Sequence, residues 1–210
     1  MAPWLSIVAG LIGAALGVFL TGIAERMLRI RRRFVWPVRA AVTVSTGLLV
    51  ALVVWEFGVG WELPAYLYLA LITVVLSVVD ITEKRLPNAL VYPSLIVLPI
   101  LLTLAAAASG AWQALLGAFL GGAALFAFYL VLALISPGGI GMGDVKLAAV
   151  IGLALGYLGW TPFLVGAFGA FLIGGLVSLV ALTLRRVTLR GSIPFGPSML
   201  AGAFLGVLFA

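Results

Sequence analysis

The sequence predicts an all-α integral membrane protein, a polytopic bundle of about eight transmembrane helices, and three observations carry that expectation. Apolar residues make up 65% of the 210-residue chain and charged residues 9%, with mean hydropathy +1.33, which leaves too little polar surface to cover a soluble domain. The apolar residues gather into runs of roughly 20, the length a helix needs to cross about 30 Å of hydrocarbon. The basic residues fall at alternate connections between those runs, as they do in cytoplasmic loops.

Taken in order, the runs extend from about Trp4 to Ala24, Val35 to Trp55, Leu63 to Val79, and Asn88 to Ala108. They continue from Trp112 to Ile135, Asp144 to Leu158, Pro162 to Leu184, and Pro194 to the C-terminus. The first is read as a span and not a cleaved signal, because its basic residues follow the apolar stretch instead of preceding it. The sixth is short: about 15 residues rising 1.5 Å each reach only about 22 Å. The Gly/Pro stretch before it is therefore expected to dip inward beside a wet cavity, where irregular backbone is tolerated at membrane depth.

Arg26, Arg29, Arg31, Arg32, Arg33 and Arg39 follow the first run, and Lys84 and Arg85 follow the third. Lys146 opens the sixth, and Arg185, Arg186 and Arg190 follow the seventh. This alternation predicts both termini outside and the basic loops in the cytoplasm. It also accounts for the net charge of +6 without a nucleic-acid partner. The Arg29–Arg33 stretch reads as a topology anchor touching anionic lipid. Asp80 and Asp144, remote in sequence, are thereby placed at the same cytoplasmic boundary.

Small residues recur four apart at Gly13/Gly17, Gly117/Gly121, Gly152/Gly156, Gly166/Ala170/Gly174 and Gly202/Gly206. That spacing lets helix backbones approach closely in lipid and predicts packing within the chain.

The inventory narrows the chemistry. The chain has no cysteine and no histidine. That removes disulfides, thiolate nucleophiles, histidine-ligated metals and imidazole acid–base chemistry. Six carboxylates remain: Glu25, Glu56, Glu62, Asp80, Glu83 and Asp144. Asp80 ends the third run, in Asp80-Ile81-Thr82-Glu83-Lys84-Arg85-Leu86-Pro87-Asn88, and on local pattern alone it reads as a solvated boundary acid. Asp144 closes Gly141-Met142-Gly143-Asp144, where a helix N-terminus alone would favour a carboxylate. Lys146, two positions on, points to another helix face and is a poor partner for it. Gly141 and Gly143 remove side chains beside Asp144, so a substrate backbone could approach there. The stretch lacks the G-K-[ST] ending of a nucleotide loop.

Asp80 with Pro87-Asn88, then Gly141-Met142-Gly143-Asp144-Val145-Lys146-Leu147, then Ile193-Pro194-Phe195-Gly196-Pro197, resemble the type IV prepilin peptidase family of membrane GxGD-type aspartic peptidases. The resemblance covers about residues 63–210. It implies a six-helix peptidase core there, preceded by a reduced region, residues 1–62, of two transmembrane helices. It implies Asp80 and Asp144 as the catalytic pair, no cofactor and no metal. It further implies a prepilin or pseudopilin substrate, cut at the cytoplasmic face of a bacterial inner membrane. Gly141, Gly143, Phe195 and Gly196, with Gly138 in the same loop, are expected to offer backbone hydrogen bonds to an extended substrate, and Glu83 to meet its cationic leader.

The N-terminal part departs from the family pattern. A G-S-F-L-N-like stretch is replaced by Gly17-Val18-Phe19-Leu20-Thr21, and the cysteine-containing insert of methylating members is reduced to Glu25–Phe34. N-methyltransferase activity is therefore expected to be absent. A non-catalytic assembly scaffold and a small proton-coupled transporter are the competing readings. The intact acid pair opposes the first, and the position of both acids at one boundary opposes the second.

Overall fold

The computed structural model describes residues 3–30, 33–136, 139–184 and 193–210. Arg31, Arg32, Gly138, Arg185, Arg186 and Arg190 lie outside the described residues. Within them the chain forms eight helices and no strand: α1 (Pro3–Met27), α2 (Trp36–Phe57), α3 (Leu63–Glu83), α4 (Asn88–Ser109), α5 (Trp112–Ile135), α6 (Met142–Leu158), α7 (Trp160–Thr183) and α8 (Gly196–Val207). α1 to α5 and α7 are long and apolar enough to cross a membrane.

α6 and α8 are shorter. Their 17 and 12 residues reach about 25 and 18 Å, less than the roughly 30 Å of hydrocarbon. Burial explains how they persist. In α6 11 of 17 residues are buried, and in α8 9 of 12, so neighbouring helices cover them and their length need not match the lipid. α3 is the most buried of the long helices, 61% of its apolar window against 22% for α1. These three helices form the centre, with α3 and α6 each packed against α8. Tyr66 joins α3 to α6, its buried hydroxyl donating to the Ala154 carbonyl at 2.6 Å.

The glycine stripes pack within the chain. α5 and α6 run backbone to backbone: a Cβ at Gly121 would lie 2.6 Å from the Gly152 carbonyl oxygen, and one at Gly117 2.6 Å from that of Gly156. α7 and α8 meet in the same way, Gly202 lying on the backbone of Ala170 and Gly166. In α1 and α2, Gly13 faces Val50 and Gly17 faces Thr43 and Thr46.

Helix ends pass the predicted runs by up to a turn, as at Glu83 and Met27, because hydrogen bonding continues where the apolar pattern stops. α8 instead begins at Gly196 and stops at Val207.

Candidate active site

Asp80 lies in the last turn of α3 and is 4% exposed. The helix ends at Lys84, which adopts φ 51° and is the only non-glycine residue with positive φ among the described residues. Its N–H donates to the Asp80 carbonyl at 2.7 Å. A left-handed residue with a side chain costs about 1–2 kcal/mol. Here the reversal ends the helix one turn beyond Asp80 and folds Leu86, 9% exposed, back against the site. Leu86 lies between two glycines: a Cβ at Gly143 would sit 3.0 Å from its Cβ, and one at Gly196 3.2 Å from its Cδ2.

Gly196 opens α8 and donates its N–H to Asp80 Oδ2 at 3.1 Å, a buried bond between residues 116 positions apart. A Cβ at 196 would fall 2.7 Å from that same oxygen, so glycine is what the close approach requires. Phe195 sets the start of α8. Its ring fills the space over Gly174 of α7, where a Cβ would lie 2.5 Å from its Cε2. It also packs on Phe171 at 5.6 Å between centroids.

Asp144 is the third residue of α6. Its Oδ2 accepts the Gly141 N–H at 3.2 Å, the reach-back arm of a capping box. The positive end of the helix dipole favours a carboxylate there. The capping role and a chemical role coexist, since the second carboxylate oxygen is left over. Lys146 turns away, its Nζ donating to Asn88 Oδ1 at 3.1 Å and lying 4.6 Å from the Tyr92 ring centroid. Pro87-Asn88 thus anchors the start of α4 to the start of α6.

The two aspartates, predicted to share a boundary, come from different helices and interact electrostatically. Each accepts one glycine N–H, and each keeps a carboxylate oxygen for other partners. Two carboxylates that interact in this way titrate as a coupled pair. Among the described residues no three acidic, histidine or cysteine side chains cluster as a metal would need.

Gly141, Gly143, Phe195 and Gly196 all gather at the pair. Glu83 does not. Its carboxylate accepts the Arg29 and Ile30 N–H groups at 2.8 and 3.4 Å and the Arg85 Nε at 2.6 Å. Arg85 also donates to the Met27 carbonyl at 2.7 Å, capping the end of α1. Glu83 therefore clasps the α1–α2 connection to the end of α3, and a role in leader recognition would require exchanging those bonds.

Sequence reasoning missed Tyr129, 1% exposed on α5, which interacts electrostatically with Asp144. It stacks on Phe171 at 5.6 Å and meets Phe195 at 6.3 Å. A signal was present: Tyr129 continues the four-residue stripe of Gly117 and Gly121.

Comparison with known proteins adds the following. The type IV leader peptidase family matches residues 67–179, a segment that contains both aspartates. The prepilin leader peptidase/N-methyltransferase of Bacillus subtilis is 35% identical over 181 residues, which covers 85% of this chain and 68% of that protein. Those of Stutzerimonas stutzeri and Neisseria gonorrhoeae are each 29% identical, and the chain spans 57% and 55% of their lengths. No solved structure gives a significant match.

Proposed function

The chain belongs to the type IV leader peptidase family, and from that premise we propose that it is a membrane aspartic endopeptidase that removes the short basic leader of a type IV prepilin or pseudopilin. What supports the reading is that Asp80 and Asp144, from different helices, interact electrostatically and each accept a glycine N–H at the start of a buried helix.

The reaction follows from the pair. Two neighbouring carboxylates resist ionising together, so one is ionised and the other holds a proton. The ionised acid takes a proton from a water whose oxygen adds to the scissile carbonyl carbon. The displaced π pair moves onto the carbonyl oxygen, which receives the proton of the second acid. Collapse of the gem-diol breaks the C–N bond as the proton taken from water passes to the leaving nitrogen, and a hydroxyl proton of the adduct returns to the other carboxylate, restoring the one-proton pair. The roles belong to the pair and are not divided between its members.

The alternating basic connections orient the site to the cytoplasmic face of a bacterial inner membrane. A substrate with a cytoplasmic leader and a membrane-embedded apolar helix presents its junction at that level. The junction must be extended to be cut; of Gly141, Gly143 and Gly196, the first keeps space beside its backbone next to the Asp144 carboxylate, whereas Leu86 and Asp80 fill that space at 143 and 196. The chain cleaves without methylating, because the short α1–α2 connection and the absence of cysteine leave no counterpart of the methyltransferase-associated insert.

The test is mass spectrometry of a co-expressed prepilin in cells lacking other leader peptidases and methylating enzymes. The wild type should remove the leader and leave an unmethylated N-terminus. Asp80→Asn and Asp144→Asn, each folded, should lower turnover by roughly 1,000-fold or more. Undiminished cleavage by either variant overturns the peptidase assignment, and a methylated product overturns the second half.

A further inference from the structure

The backbone contact between α5 and α6 fixes a register. Gly117 lies on Gly156 and Gly121 on Gly152. Both helices repeat a face every four residues, and they run antiparallel, so the same register continues through 125 opposite 148 to 129 opposite 144. Leu125 and Ala148 are buried as that extension requires. Tyr129 therefore stands across from Asp144 by helix geometry alone, and the two side chains interact electrostatically.

The ring is rigidly held. It is stacked on Phe171 with 25° between planes, meets Phe128 edge-on at 5.7 Å, and is tilted against Phe195. Its hydroxyl makes no hydrogen bond among the described residues. The ring is buried, but the hydroxyl is not one of the buried oxygens left without a partner, so it opens out of the protein packing. Here a donor is presented beside the reacting carboxylate and is not consumed by the protein.

We propose that Tyr129 is a third catalytic residue, whose phenol O–H donates a hydrogen bond to the scissile carbonyl oxygen as negative charge gathers on it. This rests on the peptidase reading above. The phenol keeps its proton throughout, so the proton transfers between water, the aspartates and the leaving nitrogen are unchanged. Three ionisable side chains then face the reacting group, one from each packed helix: Asp80 from α3, Tyr129 from α5 and Asp144 from α6. A preorganised donor of this kind acts on the transition state more than on the bound substrate.

The experiment is steady-state cleavage of a purified prepilin by the full-length protein in detergent, with melting temperature as the check on folding. Tyr129→Phe keeps the ring and its stack and removes only an unbonded hydroxyl. It should lower kcat by about 10- to 100-fold with KM within about twofold, the pattern of an interaction made only in the transition state. Phe171→Leu, which loosens the stack without touching a hydroxyl, should hold kcat within about threefold. Placing 4-aminophenylalanine at position 129 restores a donor and should recover at least about a tenth of kcat. Wild-type kcat in Tyr129→Phe overturns the proposal. So does a change confined to KM, an equal kcat loss in Phe171→Leu, or no recovery with the amino analogue. A wild-type protein that cleaves no prepilin overturns the peptidase reading instead.

Discussion

The α1–α2 hairpin and the central trio of α3, α6 and α8 are written in the same residue alphabet and behave oppositely. In α1 the buried residues are all small: Ser6, Gly13, Gly17, Thr21 and Ala24. Its large apolar side chains face outward, with Leu11 69% and Phe19 76% exposed. In α6 large residues such as Leu147, Leu155 and Tyr157 are buried with the small ones. In a bilayer, then, hydrophobicity marks what meets lipid as readily as what meets protein, and small residues mark the protein-facing side. The trio is enclosed by protein, and its helices can be short, end early and carry aspartates at their tips. The hairpin turns its large apolar side chains outward and carries its ionised groups near the helix ends.

Three substitutions test this contrast, from the most to the least disruptive. Gly152→Ala puts a methyl on the Gly121 carbonyl oxygen, where only backbone could yield. We expect a loss of about 3 kcal/mol or more, seen as little folded protein after extraction and a collapsed melting temperature. A stable Gly152→Ala would mean that α5 and α6 are not in backbone contact. Gly196→Ala keeps the N–H that binds Asp80 but crowds the carboxylate, whose Oδ2 lies 2.7 Å from the new Cβ. A displacement of this size should cost about 100-fold in turnover with the melting temperature little changed. Wild-type turnover would remove Gly196 from the site. Gly13→Ala is the matched change in the hairpin. Its Cβ meets Val50 Cβ, 2.7 Å away, and not a backbone atom, so a small separation of the two helices relieves it. The cost should be about 1–2 kcal/mol, and turnover per folded molecule should stay within about threefold. A large loss of turnover there would show that the hairpin governs the aspartates and is more than an appendage to them.

The eight helices were legible as apolar runs, six of them of crossing length, and the two aspartates stood out as candidates because each lies at the end of such a run. The glycine stripes predicted close packing, but not which helices would pair, because the spacing is the same in all of them. Gly196 was expected to offer its backbone to substrate, and its N–H is engaged by Asp80, as that of Gly141 is by Asp144. Nothing near position 196 signals that partner, since the bond joins residues far apart in sequence. The pairing of Glu83 with nearby Arg85 is readable in the sequence, but its other partners are backbone N–H groups of another helix end, which leave no trace in residue identity. Tyr129 was hidden for a different reason. Aromatic residues are common in apolar runs, and only the register of α5 on α6 shows that this one faces an acid.

The clasp at the end of α3 has a consequence of its own. Glu83 takes hold of amide hydrogens, and Arg85 of a carbonyl, so both grip main chain that every amino acid shares. Such a grip is blind to the letters of the segment it holds. Where the stretch joining the first two helices meets this clasp, at Arg29 and Ile30, its residues can drift in composition, while Leu28 and Phe34 on either side are held by their apolar side chains.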